Sequence, residues 1–479
     1  MLRDRLEGEL VLPSDPGYGL ATQLQNTEYD SVTPAAVAYC HSAKDVLACV
    51  RHARDAGVRV HVRSGGHSFN GWSTGEGLVI DLSRMNQATA DAGAGTVRIG
   101  AGTQSLDALD RLKVLGRQII TGTFPTVGQG GFLTGGGLGW QTRRFGVASD
   151  RIVSARVVLA DGRLVAASAS EHPDLYWALR GGGGGTFGIV TDFELLPVDA
   201  PRLTSFETLW SYEDAADVLA AWQAWAAQGS DELGTSLVVL PGMFGPGGRP
   251  VVKAWGVHLG APQDLERALD ELTERTGTKP THRETGAPGP YADVMHEALC
   301  GSKTVQQCHR TGTHPEAVGH RHPYTRQAYR LTGRAVTRAE AQTLLDAWDP
   351  DLDGERYLLC IALGGAANRV GRTETAYVHR DAQFLVGYQM ATRDAEEAAR
   401  TPAGLQEWAD RCDAALAPLA TGSYINFPAS RIGPGWESDH FAENAPRLRA
   451  VKHHYDPDDF FRHAQSIRPE PGRTAKTRR

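Results

Sequence analysis

Arg63-Ser64-Gly65-Gly66-His67-Ser68 follows directly on a run in which Val58, Val60 and Val62 alternate with Arg59, His61 and Arg63. Alternation at period two marks a half-buried strand, so the glycines begin a turn at a strand's end. Successive backbone N–H groups in such a turn form a nest that can hold a pyrophosphate, with Arg63 and Ser64 as further donors. A plain strand-to-strand turn, needing glycine for positive φ and carrying an exposed histidine, has the same sequence. A second stretch adds weight to the first reading. Gly122-Thr-Phe-Pro-Thr-Val-Gly-Gln-Gly-Gly131 runs into Gly135-Gly136-Gly137-Leu138-Gly139. Two such loops in one half of a chain can grip a dinucleotide from both sides.

Around these loops the first 200 residues alternate helix and strand signals. Ser42 and Asp45 resemble a capping box, and Val46, Leu47 and Val50 form a helical stripe ending at Gly57. Strands are expected at 78–82, 96–100, 152–161 and 188–198. Gly183-Gly184-Gly185-Thr186-Phe187-Gly188 formally satisfies G-x-G-x-x-G. It precedes a strand, however, and no helix opens on it, which argues against a Rossmann unit. Beyond about residue 200 the texture changes. Ser211 and Asp214 are read as caps of a helix carrying Val218, Leu219, Trp222 and Trp225, stopped by Gly229. Trp222 and Trp225, three apart, read as packing residues. Strands at 236–241 and 251–260 precede a helix over 262–276. Thr337 and Glu340 cap another helix running to Trp348, followed by strands at 357–365 and 383–391. Strands with interleaved helices, without strict βαβ alternation, predict an α+β domain on an antiparallel sheet. Residues 241–250 and 286–290 read as loops, and 469–479, with nothing to bury, as disordered.

Composition narrows the function. The chain has 479 residues, 49 basic and 56 acidic, for a net charge of −7, which argues against a nucleic-acid partner. No run approaches the ~18 apolar residues of a membrane span. The charged amino-terminal stretch lacks an apolar signal region, so the expected location is cytoplasmic. Glycine, 55 of 479 residues, is well above the usual ~7%, and the excess sits in the clusters above. Cys40, Cys49, Cys300, Cys308, Cys360 and Cys412 are scattered without a C-x-x-C. They are read as reduced thiols, with neither a disulfide scaffold nor a zinc site. His314, His320 and His322 lie in a polar loop, and His453 and His454 on a charged helical face, all without a functional role. No metal site is expected.

Four blocks together carry a resemblance: the 63–68 turn, 125–139, 148–162 and 174–191. It resumes in Tyr424-Ile425-Asn426-Phe427 and over 448–469. The chain resembles the berberine-bridge-enzyme-like flavoproteins of the vanillyl-alcohol oxidase superfamily. The resemblance implies an α+β fold with a PCMH-type FAD-binding domain in two parts, 1–200 and 416–470. Between them lies a substrate domain, 201–415, of antiparallel sheet backed by helices; 471–479 is a disordered tail. It implies FAD bonded through His67 to the flavin 8α-methyl carbon. The first loop then contributes Arg63, Ser64, Gly65, Gly66 and Ser68 to the cofactor. The second contributes Gly122, Thr126, Val127, Gly128, Gly131 and Gly136. Asp150, Gly188, Val190, Tyr424 and Asn426 complete the set.

The chain departs from that family at three positions. Many relatives attach the flavin a second time through a cysteine just before the Pro-Thr-Val-Gly stretch; here that residue is Phe124, so one covalent bond is expected. Relatives that oxidise alcohols carry tyrosines where this chain has Leu138 and Phe427. Both hydroxyls that would take a substrate proton are missing. A base must then come from the middle domain, where the candidates are Tyr357, Glu374, Tyr377 and Tyr388, with His379 a further substrate contact. The expected activity is an FAD-dependent oxidase or oxidative cyclase with O2 as acceptor, tailoring a natural product such as an antibiotic. A non-redox cyclase or isomerase with a structural flavin, and a binding protein without turnover, are the alternatives. Substrate and oligomeric state are not legible.

Overall fold

Val60–Arg63, the strand that ends in the glycine turn, lies at the edge of a four-stranded sheet. Its order is Glu9–Val11, Ala36–Tyr39, Leu78–Asp81, Val60–Arg63. The last three run parallel and the first antiparallel. A second, wholly antiparallel sheet follows in the order Ala88–Asp91, Thr96–Gly100, Ile189–Leu195, Ile152–Val158, Leu164–Ser168. The computed structural model describes residues 2–91, 93–199, 201–245, 248–322, 324–352, 354–392, 396–397 and 402–470. The expected tail at 471–479 lies outside them.

The helix Ala43–Ala56 ends at Gly57, whose φ of +64° favours glycine. Its start differs from the expected capping box. The Ser42 side chain makes no cap, and Asp45 instead accepts N–H bonds from Glu7 (2.7 Å), Gly8 (3.1 Å) and His41 (2.8 Å). A carboxylate one turn into a helix can reach back across the entering chain, and here it ties down the amino-terminal strand. Ser211 likewise caps nothing: a 3₁₀ turn, Tyr212–Asp214, intervenes before the helix Ala215–Gln228. Thr337 and Glu340 do form the capping box of Arg338–Trp348.

Residues 202–422 build a nine-stranded antiparallel sheet. Its central strands are Val251–His258, Leu233–Leu240, Glu355–Ala362, Phe384–Ala391 and Thr325–Thr332, in that order. Period two sorts their side chains by face. Leu358, Cys360, Phe384, Val386 and Tyr388 pack with the helices, in one core with Trp222, Trp225, Leu344 and Trp348. Tyr329, Leu331, Ile361 and Leu385 face the other way and pack with Leu138, Val147 and Tyr424. Trp222 and Trp225 are therefore packing residues, as their spacing predicts.

The cysteines correct one expectation. Cys300 and Cys308 are joined by a disulfide, while Cys40, Cys49, Cys360 and Cys412 are buried and free. Cys300 ends the helix Tyr291–Cys300 and Cys308 ends the turn Val305–Cys308. That turn brings their Cα atoms to 6.1 Å, within bonding reach, which an eight-residue spacing does not reveal. Among the described residues no helix is long and apolar enough to cross a membrane, and no cluster could hold a metal ion.

The carboxyl-terminal helix Ala445–Tyr455 returns to the first core, inserting Leu448 and Val451 among its residues. Lys452 on the same helix is fully buried. Its ammonium donates to Asp456 (2.5 Å), the Phe461 carbonyl (2.6 Å) and the Thr186 carbonyl (2.8 Å). Asp456 also accepts the N–H groups of Phe460 and Phe461. Removing one partner of a buried pair strands the other charge at a cost of about 3–5 kcal/mol. Lys452→Met is expected to lower the urea-derived unfolding free energy by about that amount, and Lys452→Met/Asp456→Asn to recover part of it. A loss below about 1 kcal/mol, within the ordinary range of point substitutions, would show that this pair does not anchor the segment.

Candidate active site

The glycine turn, the second glycine loop and one face of the large sheet converge on a cavity of about 390 Å³. Ser64, Gly65, Gly66, His67 and Ser68 line it, and Gly66 takes a φ of +70°. Among the described residues, no protein group accepts the N–H bonds of Gly65, Gly66, His67 or Ser68. Consecutive N–H groups without a protein acceptor, in residues that line a cavity, fit the anion nest that the sequence suggests.

From the second loop Gly122, Val127, Gly128 and Gly131 reach the cavity. The two loops touch: a Cβ at Gly65 would stand 2.5 Å from the Gly128 nitrogen. A Cβ at Gly131 or Gly185 would meet nothing within 4 Å, so glycine there keeps space open. The third loop contributes Gly183, Gly184, Gly185, Thr186 and Gly188, with Val190 behind them. Tyr424 and Asn426 also line the cavity. Tyr424 Oη accepts the Gly137 N–H (2.9 Å), and Asn426 Nδ2 donates to Tyr424 Oη (3.0 Å) and the Phe132 carbonyl (3.1 Å).

Four of the expected cofactor residues do not line the cavity. Arg63 is turned away, with Nε on Asp81 and Nη2 on the Ala21 carbonyl (2.6 Å). Thr126 stands behind His67, its Oγ1 2.8 Å from the imidazole Nε2. Gly136 gives way to the Tyr377 ring, 2.7 Å from where its Cβ would be. Asp150 is held by both terminal nitrogens of Arg380, at 2.6 and 2.8 Å, and accepts the Val147 N–H. Each braces a loop that does line the cavity. A motif marks a stretch of backbone, and only packing decides which side chains turn inward.

The cavity also takes residues that were not among the expected cofactor ligands. Gln25 and Asn26 line it, as do Trp72, His322, Phe461 and His463. The His463 ring stacks on Trp72 at 4.4 Å. His322, read as an unremarkable loop residue, is brought in by pairing with the amino-terminal segment. Its N–H donates to the Gln25 carbonyl (3.1 Å), and its carbonyl accepts the Thr27 N–H (2.8 Å). Burial lowers the His322 pKa. Burial, with His322 and Arg310 nearby, brings His67 down to about 3, so its imidazole is neutral at physiological pH.

None of the four catalytic candidates lines the cavity. Tyr388 points to the helices and donates to the Leu344 carbonyl at 2.7 Å. Tyr377 is buried under the glycine strings at Gly136 and Gly181. Glu374 accepts the Gly371 N–H in its own turn (2.9 Å). Tyr357, although on the cavity side of its strand, packs against Phe244 with centroids 6.1 Å apart. His379 is buried beside Tyr377. Among the described residues no Asp or Glu lines the cavity.

The FAD binding domain family matches residues 34–168, and the berberine and berberine-like family matches 423–468. The uncharacterized FAD-linked oxidoreductase YgaK of Bacillus subtilis (strain 168) is 30% identical, with 98% of each chain covered. The chain belongs to the berberine-bridge-enzyme-like FAD-linked oxidoreductases. The aclacinomycin-N/aclacinomycin-A oxidase of Streptomyces galilaeus is 28% identical over 92% of this chain and 86% of its own. A solved glucooligosaccharide oxidase of Acremonium strictum, described as carrying a 6-S-cysteinyl, 8α-N1-histidyl FAD, superimposes with a TM-score of 0.84. Its identity is 26%, with 97% of each chain covered.

The residues present fit an FAD in this oxidoreductase. The open N–H groups of the first loop suit its pyrophosphate, and the bare walls at Gly131 and Gly185 leave it room. Gly131→Leu is expected to fold with stability changed by less than about 1 kcal/mol, since the side chain enters open space. It should retain less than a tenth of the FAD, measured as flavin absorbance per protein. Full occupancy in that variant would remove Gly131 from the cofactor wall.

Proposed function

We propose that the chain is an oxidase of a small organic molecule whose FAD is tethered through His67 alone. The observation that carries this reading is the environment of His67. Its imidazole is neutral, half-buried, and engaged at Nε2 by Thr126 Oγ1. With the proton on Nε2 and donated to Thr126, the Nδ1 lone pair is left free as a nucleophile. The Phe124 ring, where a second attachment would need a thiol, packs edge-on to His67 with centroids 5.1 Å apart. The free cysteines are buried, and none lines the cavity. An FAD held here would supply the redox chemistry, hydride acceptance from a substrate C–H and reoxidation by O2 with release of hydrogen peroxide.

The protein's part is to hold and orient, with little to offer as a base. Burial pushes Tyr424 up to about 12 and raises Tyr329 well above the usual tyrosine range, so neither accepts a proton near neutral pH. Phe427 stacks on Tyr424 at 5.8 Å and fills the remaining corner. A substrate that needs no strong protein base suits this site: an activated phenol, an acidic C–H or a neutral amine. Natural-product tailoring, supported by the aclacinomycin oxidase, is the proposed setting.

Acid precipitation should leave the flavin in the pellet, with a mass increment of one FAD and no second attachment. His67→Ala should release it to the supernatant, and Thr126→Val should slow attachment without preventing noncovalent binding. Free flavin from the unmutated protein would overturn the linkage. Turnover should release hydrogen peroxide without added nicotinamide cofactor. Phe427→Tyr should change kcat/KM by less than about tenfold, since no step depends on that hydroxyl; a hundredfold gain would mark a damaged alcohol oxidase instead.

A further inference from the structure

Three adjacent strands stand in register on the sheet face that meets the cavity. Gln327, Gln389 and Tyr357 form one row, Tyr329, Gly387 and Leu359 the next, and Leu331, Leu385 and Ile361 the third; of these side chains Gln389, Tyr329, Leu359, Leu385 and Ile361 line the cavity. Gly387 has a specific reason to be glycine, because a Cβ there would fall on the Tyr329 ring. Tyr329 therefore lies across the sheet, and its hydroxyl donates to Gln389 Oε1 at 3.4 Å. That bond sets the amide so that Nε2 is the remaining group. Gln327 is already committed, donating from Nε2 to the Pro428 carbonyl at 2.7 Å. Among the described residues nothing accepts from Gln389 Nε2, and Gln389 lines the cavity.

The rows of the sheet face beyond that donor are largely hydrocarbon. Leu359, Ile361 and Leu385 form the floor, and Phe69 and Phe427, with centroids 5.5 Å apart, form a wall. Tyr329 meets Phe427 edge-on at 5.0 Å. Among the described residues Arg462 is the only Arg or Lys lining the cavity, and it belongs to the carboxyl-terminal segment beside His463 rather than to the sheet. An ammonium or carboxylate buried here would have no counter-charge, and each unpaired hydroxyl of a sugar would lose its hydration without replacement. Aromatic walls favour offset or edge contact with another ring.

We infer that the sheet face selects a neutral, largely apolar aromatic substrate and holds its carbonyl oxygen through Gln389 Nε2, with Tyr329 as the residue that positions the amide. This rests on the oxidase reading for what happens to the bound molecule, but the recognition can be measured apart from it. The test uses the purified, full-length protein with its flavin, titrated calorimetrically with four probes: 1-tetralone, tetralin, cellobiose and benzylamine. Tetralone should bind at least tenfold more tightly than cellobiose or benzylamine. Gln389→Leu should weaken tetralone about tenfold while leaving tetralin within threefold, and Tyr329→Phe should weaken tetralone by a smaller factor. Gln389→Glu, which keeps size and hydrophilicity if the leucine variant does not fold, should lose tetralone and gain benzylamine. Cellobiose or benzylamine matching tetralone in the unmutated protein would overturn the inference, as would equal effects of Gln389→Leu on tetralone and tetralin. Protein that purifies without flavin absorbance would count against the oxidase reading alone, because the calorimetric ranking of the probes stands without it.

Discussion

Lys452 has no exposed surface, and its ammonium is held by the Asp456 carboxylate, the Phe461 and Thr186 carbonyls and, at 3.3 Å, Asp459, with Thr186 on the third glycine loop. The carboxyl-terminal segment must return across the whole molecule to make this contact. An ammonium buried without acceptors is so costly that the segment docks in one place. Docking there brings Phe461, His463 and Gln465 to the cavity. The site is therefore assembled from chain ends more than 400 residues apart, and its geometry depends on that one buried ion pair being made.

Arg380 plays a corresponding part between the large sheet and the glycine strings. Its side chain is 2% exposed and holds Asp150, which in turn accepts the Val147 N–H. The Tyr377 carbonyl accepts from Arg380 Nε at 3.1 Å, which places the ring of Tyr377 under Gly136. Residues that resemble cofactor ligands in sequence are here the struts between two layers. Their chemistry is spent on backbone and on one another, and the cavity wall is left to the glycine loops and to other side chains.

Electrostatics gives the two ends of the cavity different characters. Around His67 burial removes charge from an imidazole and leaves a neutral nucleophile. At the sheet face the same burial raises tyrosines out of the range in which they could act as bases. One physical effect, desolvation of titratable groups, thus favours the proposed His67 linkage at one end and the proposed recognition without acid–base chemistry at the other.

Much of the fold was legible from local pattern. The strand Thr96–Gly100 and the helix Pro262–Thr276 have the boundaries that alternation and helical periodicity predict, because each pattern is a property of a few consecutive residues. The glycine loops were legible for a similar reason: close backbone approach needs residues without side chains, and the clusters advertise it. What pattern could not decide was which neighbour faces the cavity. Tyr388 and Gln389 are adjacent on one strand, and the sheet's register sends the first to the helices and the second to the site. His322 had no motif, His463 stood unmarked inside the 448–469 block, and the Cys300–Cys308 bond had no diagnostic spacing. Local backbone preference is written in neighbouring residues; facing, pairing and burial are set by contacts between segments far apart in sequence, so only the tertiary structure decided them.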